Sequence, residues 1–313
     1  MKKFLALGMT AILAIALMSM ATLAQQGELN KIPHGINPNS KSPNFGGFAA
    51  TTGGTRKTTA MTYRGGPLIN TPTIYLIWYG NWNQTNGSDT PAGQQIVRDW
   101  ANGIGGTPYY QLNTSLSVSG KPISGNVLYG GETTDTGTSV SLTDANIQTI
   151  VANAISSNRL PYDANGVYFV ITSSNVTASS GFCTQYCGWH TYGTVTGFGK
   201  VRYSFVGNAK RCLSSCAAQG TVSPNGNPGI DGAVSVLSHE LEEANTDPDI
   251  NAWLDAQGYE NADKCAWTFG HFQYQTPNGA WANMNFGGRD WLIQRNILKS
   301  GSSFFCMVDS THN

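Results

Sequence analysis

Hydrophobic residues fall along this chain in three patterns. Two stretches are apolar at nearly every position: Thr73–Tyr79 (TIYLIWY) and Val167–Thr172 (VYFVIT). Runs of this length, rich in β-branched and aromatic residues, predict strands buried on both faces. The second pattern repeats at helical spacing. Ile96, Val97, Trp100 and Ile104 follow Thr90, a candidate N-cap. Asp144 is the candidate N-cap of a helix through Ser157, with Ile147, Ile150, Val151, Ala154 and Ile155 on one face. Ala233, Val236, Leu237, Leu241 and Ala244 do the same between Pro228-Gly229 and Pro248. The third pattern is alternation, which in KVRYSFV (200–206) predicts a half-exposed strand. Ser115–Ser119 and Asn126–Tyr129 predict short strands between turns. Trp291–Leu298 reads as a helix or a strand.

The first 60 residues break these patterns. Residues 1–24 hold Lys2 and Lys3, an apolar core over 4–18, and Ala21 or Ala24 as a cleavage site. That is the layout of a secretory signal peptide. The apolar run is short for a membrane span, and no second run follows. Residues 25–60 are rich in Gly, Asn, Ser, Thr and Pro and predict a disordered N-terminal segment or a pro-peptide. Residues 61–313 show no internal repeat and no second core, so one α/β domain is expected. All six Cys (183, 187, 212, 216, 265 and 306) lie in the second half. An even count in an exported chain predicts three disulfides, with their connectivity open.

Composition narrows the function. Only 12% of residues are charged and the net charge is zero, which leaves no basic surplus for nucleic acid and no polybasic patch for membranes. No nucleotide fingerprint or G-x-S-x-G elbow appears. The zero net charge hides a local excess. Half of all the acidic side chains lie between Asp231 and Asp263, a window without Lys or Arg. Such clustering is unfavourable unless the charges are solvated, protonated or offset by a cation. At its centre stands Ser238-His239-Glu240-Leu241-Glu242-Glu243. On a helix His239 and Glu243 are i and i+4 and share a face. An H-E-x-x-H helix presents two zinc ligands in this way and keeps the second residue as general base. Here Glu replaces the second His, and a carboxylate is an acceptable zinc ligand. Zn²⁺ is therefore the expected cofactor. Ca²⁺ is the alternative that the carboxylates allow and the His disfavours. The competing reading is a solvated acidic face.

The third ligand is expected from Glu260, with Asp249 and Asp247 as alternatives. Glu260 sits like the downstream Glu of gluzincin proteases, and Asp263 would then orient a ligand His. A site with two carboxylates and one His is neutral before water binds, so an alkaline-shifted activity profile is expected. His190, in Cys187-Gly188-Trp189-His190, reads more readily as a residue packed beside a disulfide than as a ligand. The expected architecture is a single zincin-like domain: a mixed sheet, a metal-binding helix and disulfides. In it KVRYSFV would be the edge strand that pairs with an extended peptide.

Five segments carry a resemblance to a known family. They are GGPLINTPTIYLIWYGNW (65–82), the stretch from VYFVITSSNVTASSGFC to YCGWH (167–190), KVRYSFVGNAKRCLSSC (200–216), PNGNPGIDGAVSVLSHELEEANTDP (224–248) and the terminal Cys306. The chain resembles the EXORDIUM, or phosphate-induced, proteins, and its six Cys fall in that family's order. The resemblance runs from about Gly65 to Cys306. It implies an extracellular or cell-wall-associated protein of a microbial branch that carries the His-Glu-x-x-Glu block. The function expected is that of a secreted zinc metallopeptidase acting on peptide or protein, with Glu240 catalytic and His239, Glu243 and Glu260 on the metal. The alternative is a non-enzymatic secreted module that binds glycan or protein around a structural metal.

Overall fold

The computed structural model describes residues 29–31 and 60–312. The signal peptide expected over 1–24 lies outside the described residues, as does most of the segment 25–60. At the centre is a six-stranded sheet. Its strands are β1 (Leu29–Lys31), β2 (Thr73–Tyr79), β3 (Leu128–Asp135), β4 (Gly166–Thr172), β5 (Tyr186–Val195) and β6 (Gly199–Gly207), in the spatial order β1-β5-β6-β4-β2-β3. β3, β2, β4 and β6 are mutually parallel, whereas β5 runs antiparallel to β6 and β1 antiparallel to β5. The sheet is therefore mixed. The three long helices are α1 (Pro91–Gly103), α2 (Asp144–Ser156) and α3 (Pro228–Thr246).

The two continuous apolar runs are β2 and β4, adjacent and buried at every position. Helices on both faces of the sheet account for this. In β5, a Cβ on Gly188 would meet Val236 of α3, and one on Gly193 would meet Gln148 of α2. Positions of opposite parity on a strand face opposite ways, so α2 and α3 cover opposite faces. Gly188 is needed where α3 comes closest, since its Cβ would stand 2.6 Å from Val236. The helix starts follow from local chemistry. Thr90 Oγ1 accepts from Gly93 N at 3.0 Å, and Thr143, not the expected Asp144, caps α2 in a box with Asn146. The aromatic core residues Trp78, Trp82 and Trp100 are all buried.

Several expectations are corrected. KVRYSFV is β6, an inner strand between β5 and β4, and the outermost strands of the sheet are β1, which pairs with β5, and β3. Its polar positions Lys200 and Arg202 alternate outward because both pair with Asp249, not because the strand borders solvent. Ser115–Ser119 is no strand: a 3₁₀ helix, Tyr110–Leu116, covers its start. The weak pattern at Trp291–Leu298 resolves into strand ends, and Asn296–Ser300 forms a hairpin with Ser303–Met307.

All six cysteines are paired: Cys183–Cys212, Cys187–Cys216 and Cys265–Cys306. The first two tie the start of β5 to the segment after β6. The third ties Asp263–Cys265, a short 3₁₀ turn, to the C-terminal hairpin. Among the described residues no helix is long and apolar enough to cross a membrane.

Candidate metal centre

α3 carries the acidic block. Asn227 caps its start, with Oδ1 accepting from Ile230 N at 3.3 Å, and Pro228 follows at a position where its missing N–H costs nothing. From Gly229 to Thr246 every residue except Asp231 is buried. A solvated acidic face is thereby excluded. The helix is held by polar contacts as well as apolar ones: Trp100 Nε1 donates to Ser238 Oγ at 2.9 Å.

His239 and Glu243 meet as the i, i+4 spacing predicts, with Nε2 2.9 Å from Oε1. Asp263 joins them: its Oδ1 lies 3.5 Å from His239 Nε2, and its backbone N–H donates to Glu243 Oε1 at 3.0 Å. His190 stands on the other side of Glu243. It shares strand parity with Gly188, so it faces α3. Its Nδ1 is 3.5 Å from Glu240 Oε2 and 3.6 Å from Glu243 Oε2. Its Nε2 is 3.3 Å from the Asp247 carbonyl and 3.7 Å from Glu260 Oε1. Two groups able to hold a metal result: His239, Glu243 and Asp263, and His190, Glu240 and Glu243. Glu243 belongs to both.

Donors about 2.0–2.1 Å from a tetrahedral ion lie roughly 3.3 Å from each other, close to most of these separations. His190 Nδ1 makes no hydrogen bond within the structure, and His239 Nε2 faces only the carboxylates of Glu243 and Asp263. The arrangement of nitrogen and carboxylate donors thus fits zinc. In the metal-free chain, protons take the cation's place. Burial pushes His190 down, but Glu240 and Glu243 beside it push it up further, to about 10. Burial likewise disfavours charge on Glu243, and His239 and His190 overcome this and hold it at about 2. Burial raises Glu240 and Asp263 toward the neutral acid.

The other acids of the run are separately accommodated. Glu242 points away to Asn296 Nδ2 at 2.9 Å, and burial pushes it well up. Asp247 Oδ1 accepts the backbone N–H groups of Asn251 and Ala252, so this carboxylate closes the helix end. Asp249 pairs with Lys200 at 2.6 Å and Arg202 at 2.9 Å, away from the cluster. Of the three residues weighed as third ligand, only Glu260 reaches the cluster, and it does so on the His190 side. The carboxylate beside His239 is Asp263. His190 is hard to recognise as a site residue in the sequence because its partners come from residues fifty or more positions away. The signal present was its place two residues after a glycine on a strand.

The chain matches the family model described as phosphate-induced protein 1 conserved region over residues 61–288. It is 32% identical over 275 residues to Protein EXORDIUM-like 3 of Arabidopsis thaliana, covering 75% of this chain and 79% of that protein. Protein EXORDIUM-like 5 of Arabidopsis thaliana is 31% identical over 277 residues, covering 75% of this chain and 74% of the relative. No solved structure matches. This chain belongs to the phosphate-induced protein 1, or EXORDIUM-like, family.

Proposed function

We propose that this chain is an exported, zinc-dependent peptidase of the zincin type, built on the His-Glu-x-x-Glu block expected of a microbial branch of its family. One observation carries the reading: Glu240 stands beside a buried His239–Glu243 pair whose imidazole Nε2 faces two carboxylates, Glu243 at 2.9 Å and Asp263 at 3.5 Å. His239, Glu243 and Asp263 would hold the ion, with Asp263 in the place expected of Glu260. Bound zinc supplies a Lewis acid for a scissile carbonyl and acidifies the water it holds. Glu240 takes up a proton and returns it to the leaving amine. The outer edge of β5 receives the extended peptide by strand addition. In support, the chain's own β1 pairs antiparallel with that edge, Leu29 opposite Trp189 and so next to His190. Three disulfides and the basic-then-apolar N-terminus support export.

A second reading has its own observation. His190, His239, Glu240 and Glu260 are 0% exposed and Glu243 is 2% exposed, so a peptide reaches them only if covering segments open. In that reading zinc or calcium is structural, and the protein binds a glycan or protein partner without turnover. The deciding experiment compares mature wild type with Glu240→Gln on a fluorogenic peptide library, with zinc content and melting temperature in parallel. The peptidase reading expects both proteins to hold zinc and melt alike. The variant then loses about 10²–10⁴-fold in turnover. A zinc-loaded wild type with no turnover, or equal turnover in both, overturns it in favour of the structural ion.

A further inference from the structure

We infer that the cluster takes a second divalent cation, held by His190 Nδ1, Glu240 Oε2 and Glu243 Oε2, with Glu243 bridging the two ions. This rests on the reading that His239, Glu243 and Asp263 hold the first. The placement of His190 carries the argument. Its Nε2 faces the Asp247 carbonyl at 3.3 Å and Glu260 Oε1 at 3.7 Å. A carbonyl oxygen only accepts, so Nε2 carries the hydrogen. Nδ1 is then turned toward Glu240 Oε2 at 3.5 Å and Glu243 Oε2 at 3.6 Å, and its lone pair would be offered there once a cation displaces the proton. This nitrogen makes no hydrogen bond within the structure, and its side chain is fully buried. One donor atom from each of His190, Glu240 and Glu243 lies within 4.8 Å of the others, a donor set that could hold a metal. An acceptor on the far nitrogen of a ligating His is the outer support such ligands use.

Glu243 is placed to bridge. Its Oε1 faces His239 and the Asp263 N–H, while its Oε2 faces His190. Charge points the same way. Glu240, Glu243 and Asp263 bring three carboxylates to the two imidazoles, enough donors for both groups that could hold an ion. The second ion also has a consequence. It would occupy an oxygen of Glu240, the group that carries the proton, so excess zinc would inhibit turnover.

The test is a zinc titration of the mature, disulfide-intact protein after chelation, with bound metal counted by elemental analysis after gel filtration. Two equivalents in wild type and one in His190→Asn are expected, the variant losing the weaker step. One equivalent in wild type at saturation overturns the second site and leaves the first standing. No bound zinc overturns both. Two equivalents in a folded His190→Asn overturn the assignment of ligands. Should that variant fail to fold, the cobalt-loaded wild type decides. Spin-coupled ions at two equivalents are expected, and two magnetically isolated ions overturn the bridge.

Discussion

The two ends of α3 solve the same problem differently. Near its start lies Asp89, and near its end Glu243; the two are 0% and 2% exposed. Asp89 is ringed by donors: Ser174 N and Oγ, Asn86 Nδ2, Gln84 Nε2 and Asn208 Nδ2. Ser88, its neighbour, reaches the α3 cap through Asn227. This carboxylate is satisfied by dipoles of the chain and locks the loop after β2 to the helix. Glu243 takes one backbone N–H and otherwise faces two imidazoles, with two further carboxylates close by. Burial of an acid therefore does not mark a metal site. The supply of donors separates Asp89, which the chain itself satisfies, from Glu243, the proposed ligand.

The sharpest break of this comparison is to remove each acid in turn. Glu243→Ala should abolish zinc binding, read as metal per chain after gel filtration. At free zinc about a thousand-fold above its dissociation constant, wild type should also lose about 4 kcal/mol of stability on chelation. The variant should lose nothing further, and chelation that destabilises both alike would sink the site. The Cys265–Cys306 bridge comes next. It closes a separation of 41 residues and fixes the turn that carries Asp263. Replacing both cysteines by Ser should cost about 4 kcal/mol through the unfolded chain. It should also weaken zinc binding, read by competition with a chelating dye, an effect that loop entropy alone does not give. Asp89→Ala is the counterpart. It leaves buried donors unpaired and should cost about 2 kcal/mol in urea unfolding. Its zinc content should equal that of wild type, and a loss of zinc would erase the contrast between the two ends.

The same contrast marks what was legible in the sequence. β2 and β4 could be read because both faces are covered, which forces apolar residues at successive positions. α1 and α3 could be read because Thr90 and Pro228 punctuate their starts. The His239–Glu243 pair is local, set by helix geometry alone. The rest depends on distant partners. β5 is poor in aliphatic residues because its inner positions hold Gly188 for close packing and His190 for the cluster. β6 looks like an edge because Lys200 and Arg202 interrupt it, yet both serve Asp249. Asp263 reaches His239 through a turn whose position is set by a disulfide to Cys306, a link no local pattern encodes.

Asp249 sharpens the comparison with the smallest effect. It belongs to the same acidic run as Glu243, but Arg202 and Lys200 supply the cation from β6. Burial raises its pKa, and the hydrogen bonds and charges of Arg202 and Lys200 overcome this, so the folded value lies below the ordinary 3.8. The unfolded chain therefore binds its proton more readily than the folded one. The stabilisation is complete above the unfolded pKa and disappears as pH falls through the folded one. Asp249→Asn should then cost about 1 kcal/mol at pH 7, since Lys200 is half-exposed and partly screened. Chemical unfolding of wild type and variant across pH 2 to 7 should show the gap closing at the acid end. A gap that stays constant with pH would mean that Asp249 acts through packing, leaving its two cations as bystanders.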